Sequence, residues 1–186
     1  MKKIRLSHTL MSAWEWGRYE DIVPIYLRLD QDIPKDRLEL MQQGKVFDEL
    51  IEQYVRQNLE LPKSLGSMKV PKAQPKIKLE VEFDESFDVS GELDILADNF
   101  FIEIKHSRTH DSVYYSETGQ LDMYMLLCAL SNIDVKYGMV FRYDPIKRTY
   151  DSSVMHNTSW RIERAQKRIE TVGPAIYNHL QLQGVI

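Results

Sequence analysis

Gly91-Glu-Leu-Asp-Ile-Leu-Ala-Asp-Asn-Phe-Phe-Ile-Glu-Ile-Lys105 is the stretch around which the chain is organised. It reads as two strands joined by a tight turn at Ala97-Asp98-Asn99, a sequence that suits a hairpin. Alternate residues of a strand share a face. Phe101, Glu103 and Lys105 therefore point one way and Phe100, Ile102 and Ile104 the other. The apolar run Phe-Phe-Ile-x-Ile predicts a central, largely buried strand, so its Glu and Lys require partners or a metal. Folding back at the turn brings Asp94 near Glu103.

Two carboxylates held close raise each other's pKa unless a cation lies between them. Oxygen donors without cysteine or a histidine pair favour Mg²⁺ or Mn²⁺ over Zn²⁺. Lys105 beside such an ion could hold a water or a phosphoryl oxygen. Carboxylates, a divalent metal and a lysine on one face suit hydrolysis of a phosphodiester. From these residues alone a second account stands equally open, in which Lys105 simply pairs with Glu103.

The 186 residues predict a single domain spanning 1–186, with an N-terminal helical segment over about 1–60 and a C-terminal helix over about 158–182. No apolar run is long enough to cross a membrane and the start carries no cleavable signal, so a cytoplasmic setting is expected. The lone Cys128 excludes an internal disulfide and a four-thiolate cluster. A net charge of -4 is not that of a strong free-standing nucleic-acid binder, so any such contact must come from local basic patches.

Along the chain, Ser7 reads as the N-cap of a short helix bearing Leu10, Met11 and Trp14, and Pro24 as an interruption. Pro34 to about Leu59 has helical spacing through Leu38, Met41, Phe47, Leu50, Ile51, Tyr54 and Val55. Asp48 lies on or beside that apolar face, and solvation at its edge is the plainer account. Leu61 to Pro75 reads as a loop whose Lys63, Lys69 and Lys72, with Lys76 beyond, could meet a phosphate backbone or merely be solvated. Ile77 to Phe83 alternates strictly, which predicts a half-covered strand leading into the Asp94 strand.

After Lys105 comes a polar, aromatic loop with Arg108 as a candidate phosphate contact, Tyr114 or Tyr115 as a candidate base-stacking surface, and His110 without a role. Ser116 is expected to cap a helix reaching about Leu130, on which Gln120 and Tyr124 lie one above the other. Val135 to Tyr143 predicts a strand, Thr149 to Val154 an edge strand, and Thr158 onward a helix that Gly173-Pro174 breaks or kinks. Arg161, Arg164 and Arg168 form its outward stripe, read as a solvated face with a DNA-facing rail as the alternative. These elements predict an α/β fold with a mixed sheet.

Gly91-Glu-Leu-Asp94, Glu103-Ile-Lys105 and Gln120-Leu-Asp-Met-Tyr124, in that order, resemble the PD-(D/E)XK nuclease superfamily in its RecB-like branch. The resemblance spans about Ser7 to Phe141 and is strongest from Gly91 to Tyr124. It implies a restriction-endonuclease-like core, a mixed central sheet flanked by helices. It also implies that Asp94 and Glu103 ligate Mg²⁺ or Mn²⁺ with the Ile104 carbonyl, that Lys105 positions or activates water, and that Gln120 and Tyr124 border the DNA strand. The branch often carries a metal-ligating histidine four residues after a glycine; counted from Gly44 that position is Asp48, which becomes the third acidic ligand. Iron-sulfur members carry Cys-Pro where this chain has Val23-Pro24, so no cluster is expected.

The expectation is a metal-dependent DNA nuclease acting on ends or single strands, helped by a homo-oligomer or protein partner. A non-catalytic nucleic-acid or protein-binding member and a restriction or junction endonuclease are the alternatives.

Overall fold

The computed structural model describes residues 3–29 and 35–186. It opens with a strand β1 (Ile4–Ser7) at the start of the expected N-terminal helical segment. Four residues are too few for a periodic signal, and β1 is held by parallel pairing, Ile4 with Phe87 through Ser7 with Ser90. The Ser7 hydroxyl then accepts from the Leu10 N–H at 3.3 Å and starts helix α1 (His8–Glu15), as its cap position predicts. Pro24 interrupts nothing. It sits in the first turn of α2 (Ile22–Leu27), where an N–H would have no helical acceptor anyway.

Helix α3 (Lys35–Asn58) follows; its expected start at Pro34 lies outside the described residues. Of the apolar positions read as core, Ile51 and Val55 are buried, whereas Leu38, Met41 and Leu50 are exposed. Only the later part of α3 packs on the sheet, where Phe47 stacks on Tyr143 with ring centroids 5.1 Å apart. The connection to β2 (Gln74–Glu82) buries Leu61, Leu65 and Val70 completely, so this segment closes a core under its irregular backbone. Two of its lysines are exposed and ion-paired, Lys69 with Glu60 and Lys72 Nζ at 2.6 Å from Asp98 Oδ1.

The expected meander is present as β2, β3 (Phe87–Leu96) and β4 (Phe100–His106), with the turn closed by Ala97 N–H donating to Phe100 O at 2.8 Å. Beyond it, α4 (Ser112–Glu117) and α5 (Gln120–Leu130) replace the single helix expected from Ser116. Asp111 is the cap, accepting from Tyr114 N–H at 2.9 Å, and Ser116 lies inside α4, its hydroxyl donating to Val113 O at 2.7 Å. Gly119, at φ +82°, makes the left-handed break that a residue with a Cβ adopts poorly.

Strand β5 (Tyr137–Asp144) pairs parallel to β4, and β6 (Thr149–His156) antiparallel to β5. The last helix, α6 (Ser159–Leu182), runs through Gly173-Pro174 instead of ending there. Gly173 lets it approach the sheet: a Cβ there would meet Leu6 Cδ1 and Phe87 Cζ at 3.1 Å. Arg161, Arg164 and Arg168 form neither a solvated face nor a rail. Arg161 and Arg164 both grip the buried Asp122 of α5, and Arg168 reaches Glu15, Ser12 and His8 of α1.

The six strands form one mixed sheet in the order β1-β3-β4-β5-β6, with β2 on β3. Strand β2 pairs with β3 from Asp88 to Leu96, so β1 and β4 must share the other edge of β3. They take opposite ends of it: β1 pairs at 87–90, β4 at Ile95 and Leu96. Between these ends the sheet forks, and Gly91 to Asp94 lie in the fork. One apolar core joins the sheet to α1, α5 and α6; a second lies under α3 and the 61–70 segment.

Candidate active site

The fork is what gathers the motif residues. The β3–β4 ladder stops at Ile95 with Ile102, one residue short of Asp94 on one strand and Glu103 on the other. The Ile104 N–H is taken by the Asp94 carboxylate, donating to Oδ2 at 2.8 Å. Glu103 is 4% exposed. Its Oε1 accepts from the Lys105 ammonium and, at 2.8 Å, from the Gln120 amide of α5. That same amide nitrogen stands 2.8 Å from the Tyr124 hydroxyl, one helical turn on. Glu103 Oε2 is buried with no hydrogen-bond partner. Five of the expected residues are thereby connected: Asp94 through the Ile104 backbone, then Glu103, Lys105, Gln120 and Tyr124.

Asp48 joins them from α3. It lines a cavity of about 560 Å³ together with Gly44, Glu52, Lys76, Ile104 and Lys105. Burial, and then the Asp94 charge, push its carboxyl up to about 7. Burial and Asp94 likewise raise Glu103, against the pull of Lys105. Burial works to discharge Lys105, but the Glu103 charge and hydrogen bond outweigh it and hold the ammonium above its ordinary value. The Tyr124 phenol is raised, first by burial and then by Glu103, and stays protonated.

Glu52 and Glu92, which sequence reasoning did not single out, belong to this cluster together with Lys76, which it read only as the end of a basic run. Lys76 Nζ lies 3.1 Å from Glu52 Oε1, an ion pair without hydrogen-bond geometry, 3.4 Å from Asp94 Oδ1 and 3.7 Å from Glu92 Oε1. Glu52, one turn after Asp48, was signalled by that i, i+4 spacing; Lys76 is placed only by the β2–β3 register, which no local pattern reveals.

A second cavity, of about 630 Å³, opens on the other side of Glu92 and is lined by Arg5, Ser7, His8, Arg28, Gln120 and Tyr124. His8 was not singled out either. Its Nδ1 stands 3.0 Å from Arg168 Nη1, and an arginine only donates, so Nδ1 accepts and Nε2–H faces Ser12 Oγ at 3.2 Å. Burial, then the charges of Arg168 and Lys105, lower the imidazole to about 3, and it is neutral. On the loop after β4, His110 stacks on Tyr114 at 3.8 Å, and Lys105 Nζ lies 5.7 Å over the Tyr115 ring.

As they stand, no three His, Cys, Asp or Glu side chains among the described residues converge closely enough to hold a metal ion. Asp94 is turned toward the Lys76 ammonium and Glu103 toward that of Lys105 instead. The donor set nevertheless fits a hard divalent cation: it is all oxygen, and it includes the unpartnered buried Glu103 Oε2. Asp48, Asp94 and Glu103 are the side chains that could supply such donors to Mg²⁺ or Mn²⁺.

No protein-family model matches the chain, and no curated protein does. Solved structures do. An alkaline exonuclease from Laribacter hongkongensis superposes with a TM-score of 0.58 over 97% of this chain and 91% of that one, at 14% identity. The two share a fold. The same enzyme in complex with dAMP matches to the same extent, and a protein described as SSO0001 gives a TM-score of 0.52 at 15% identity over 92% of this chain and 78% of that one. The mixed sheet flanked by helices is therefore the fold expected from the sequence. Among the described residues no helix is long and apolar enough to cross a membrane.

Proposed function

We propose that the chain is a divalent-metal-dependent deoxyribonuclease of the PD-(D/E)XK type, RecB-like in its motifs, hydrolysing phosphodiesters at DNA ends or in single strands. The observation that carries this reading is the buried Glu103 carboxylate, held through one oxygen by Lys105 and Gln120 while its other oxygen is left without a partner. A carboxylate sealed in this way for structural reasons alone would be a net cost. Asp48, Asp94, Glu103 and the Ile104 carbonyl would hold Mg²⁺ or Mn²⁺, which would supply neutralisation of charge at phosphorus and a more acidic water. Lys105 holds the attacking water or a phosphoryl oxygen. Gln120, backed by Tyr124, fixes the Glu103 carboxylate, and both line the second cavity, where a strand would pass toward Arg5 and Arg28.

That the neighbour of like fold is named an exonuclease, and has been solved with dAMP, supports an end-directed activity releasing mononucleotides. The net charge of -4 favours a homo-oligomer or protein partner that helps hold DNA. The test is cleavage of linear, circular and single-stranded DNA with Mg²⁺ or Mn²⁺. Lys105→Ala should lose at least ~100-fold in turnover while still binding Mn²⁺; equal cleavage by this variant and the parent would refute the assignment. Cutting of closed circular DNA would instead favour an endonuclease. One observation favours a second reading, a non-catalytic binding module: the carboxylates already face ammonium groups as a salt-bridge cluster. Such a module takes up no Mn²⁺ in a calorimetric titration.

A further inference from the structure

Lys76 belongs to none of the motifs, yet its ammonium lies within 4 Å of three carboxylates on two elements, Glu52 of α3 and Glu92 and Asp94 of β3. Its backbone is arranged for this. In mid-strand, between the pairs Pro75 with Ile95 and Ile77 with Leu93, it has φ +55°. A left-handed residue with a Cβ costs about 1–2 kcal/mol, and a lysine has no local hydrogen bond to offset that. On the partner strand the alternation also breaks at the facing residue, Asp94. Leu93 packs in the core of α1, α5 and α6, and Ile95, two residues on, packs in the core under α3. The kink thus turns Lys76 into the cavity beside Asp48 and Lys105, with its side chain 32% exposed, whereas Lys78 on the regular part of β2 is 80% exposed. Backbone strain kept at such a place is a mark of function.

We propose that Lys76 is a tethered counter-cation that competes with the divalent metal ion for Asp94, and so sets how tightly the site loads. The inference rests on the nuclease reading. Lys76 neutralises the Glu52, Glu92 and Asp94 side of a carboxylate cluster whose other ammonium partners are Lys105, at Glu103, and the more exposed Lys78, at the second oxygen of Glu92. A divalent ion entering at Asp94 must displace the Lys76 ammonium, because both want the same oxygens and like charges repel at that distance. Two ligands of one site that exclude each other are negatively coupled, and removing one tightens the other.

The experiment compares Mn²⁺ binding by the full chain, by Lys76→Gly and by Lys76→Arg, reading the free ion by electron paramagnetic resonance. Glycine accepts the left-handed backbone and removes the ammonium without strain; arginine keeps the cation. Lys76→Gly should bind Mn²⁺ about tenfold more tightly than the parent, and Lys76→Arg should stay close to the parent. Parent binding that Lys76→Gly leaves unchanged or weakens overturns the inference while leaving the nuclease reading intact. Absence of Mn²⁺ binding in all three proteins overturns both.

Discussion

Gly91 carries no chemistry, but its missing side chain decides whether the site assembles. A Cβ at this position would lie 2.8 Å from Leu127 Cδ1 and 2.9 Å from Tyr124 Cε1. Both side chains are buried and cannot give way freely. Gly91→Ala must therefore push Tyr124 off the Gln120 amide, and Gln120 is what holds Glu103 from the α5 side. The expected outcome is a stability loss of about 1–3 kcal/mol together with a fall in nuclease turnover. Denaturant unfolding and a cleavage assay check the two arms, and a fully active Gly91→Ala would remove Tyr124 from the site. At this scale the sequence was informative wherever spacing along one element fixed geometry. Strand alternation put Glu103 beside Lys105, and helical spacing put Gln120 beneath Tyr124. It read Lys76 only as the end of a basic run and was silent on His8, because the positions of both depend on pairing with residues far along the chain.

Among elements, the forked edge of β3 and the clamp between α5 and α6 do most to hold the site in place. The clamp is Asp122, 1% exposed, with Arg161 Nη1 at 3.0 Å and Arg164 on its other oxygen. Because α5 also carries Gln120 and Tyr124, α6 steadies the site from behind without touching it. Replacing Asp122 by alanine leaves Arg161, only 14% exposed, without its counter-charge. A loss of about 3 kcal/mol is expected, measurable as a lower unfolding midpoint, whereas Arg164→Ala, at a side chain 45% exposed, should cost much less. Equal effects would mean that the burial of Arg161 is immaterial. A periodic arginine stripe reads as a solvent face because helical period locates a face without naming its neighbour, and here the neighbour is a buried aspartate on another helix. The same limit explains α3, whose apolar spacing predicted a core-facing length that its first half does not have. Element type was legible through most of the chain. Strand β1 and the α4–α5 break were not, since one depends on long-range pairing and the other on a single left-handed glycine.

Across the whole molecule, folding stability in the absence of metal should carry the imprint of the carboxylate cluster. Asp48 has a folded pKa of about 7 against an ordinary 3.8, raised by burial and then by Asp94. A carboxyl raised in the folded state contributes stability that is fully present below 3.8 and is lost as pH rises through about 7. Glu103 is displaced in the same direction. His8 has the opposite sign, because an imidazole lowered to about 3 makes the fold gain stability as pH rises from 3 to 6.5. The two opposing slopes overlap between about pH 4 and 6.5, so a pH profile of the parent alone cannot assign either. The difference between parent and Asp48→Asn isolates one of them. With a chelator present, Asp48→Asn should gain on the parent steadily between pH 4 and 7 and stay ahead at pH 8. Adding Mn²⁺ at pH 8 should reverse the order, since the ion discharges the repulsion only where Asp48 is there to bind it. Thermal unfolding of the two proteins across this range, with and without Mn²⁺, measures both differences. Parallel profiles that Mn²⁺ shifts equally would remove Asp48 from the metal site and leave the acidic cavity wall as ordinary surface.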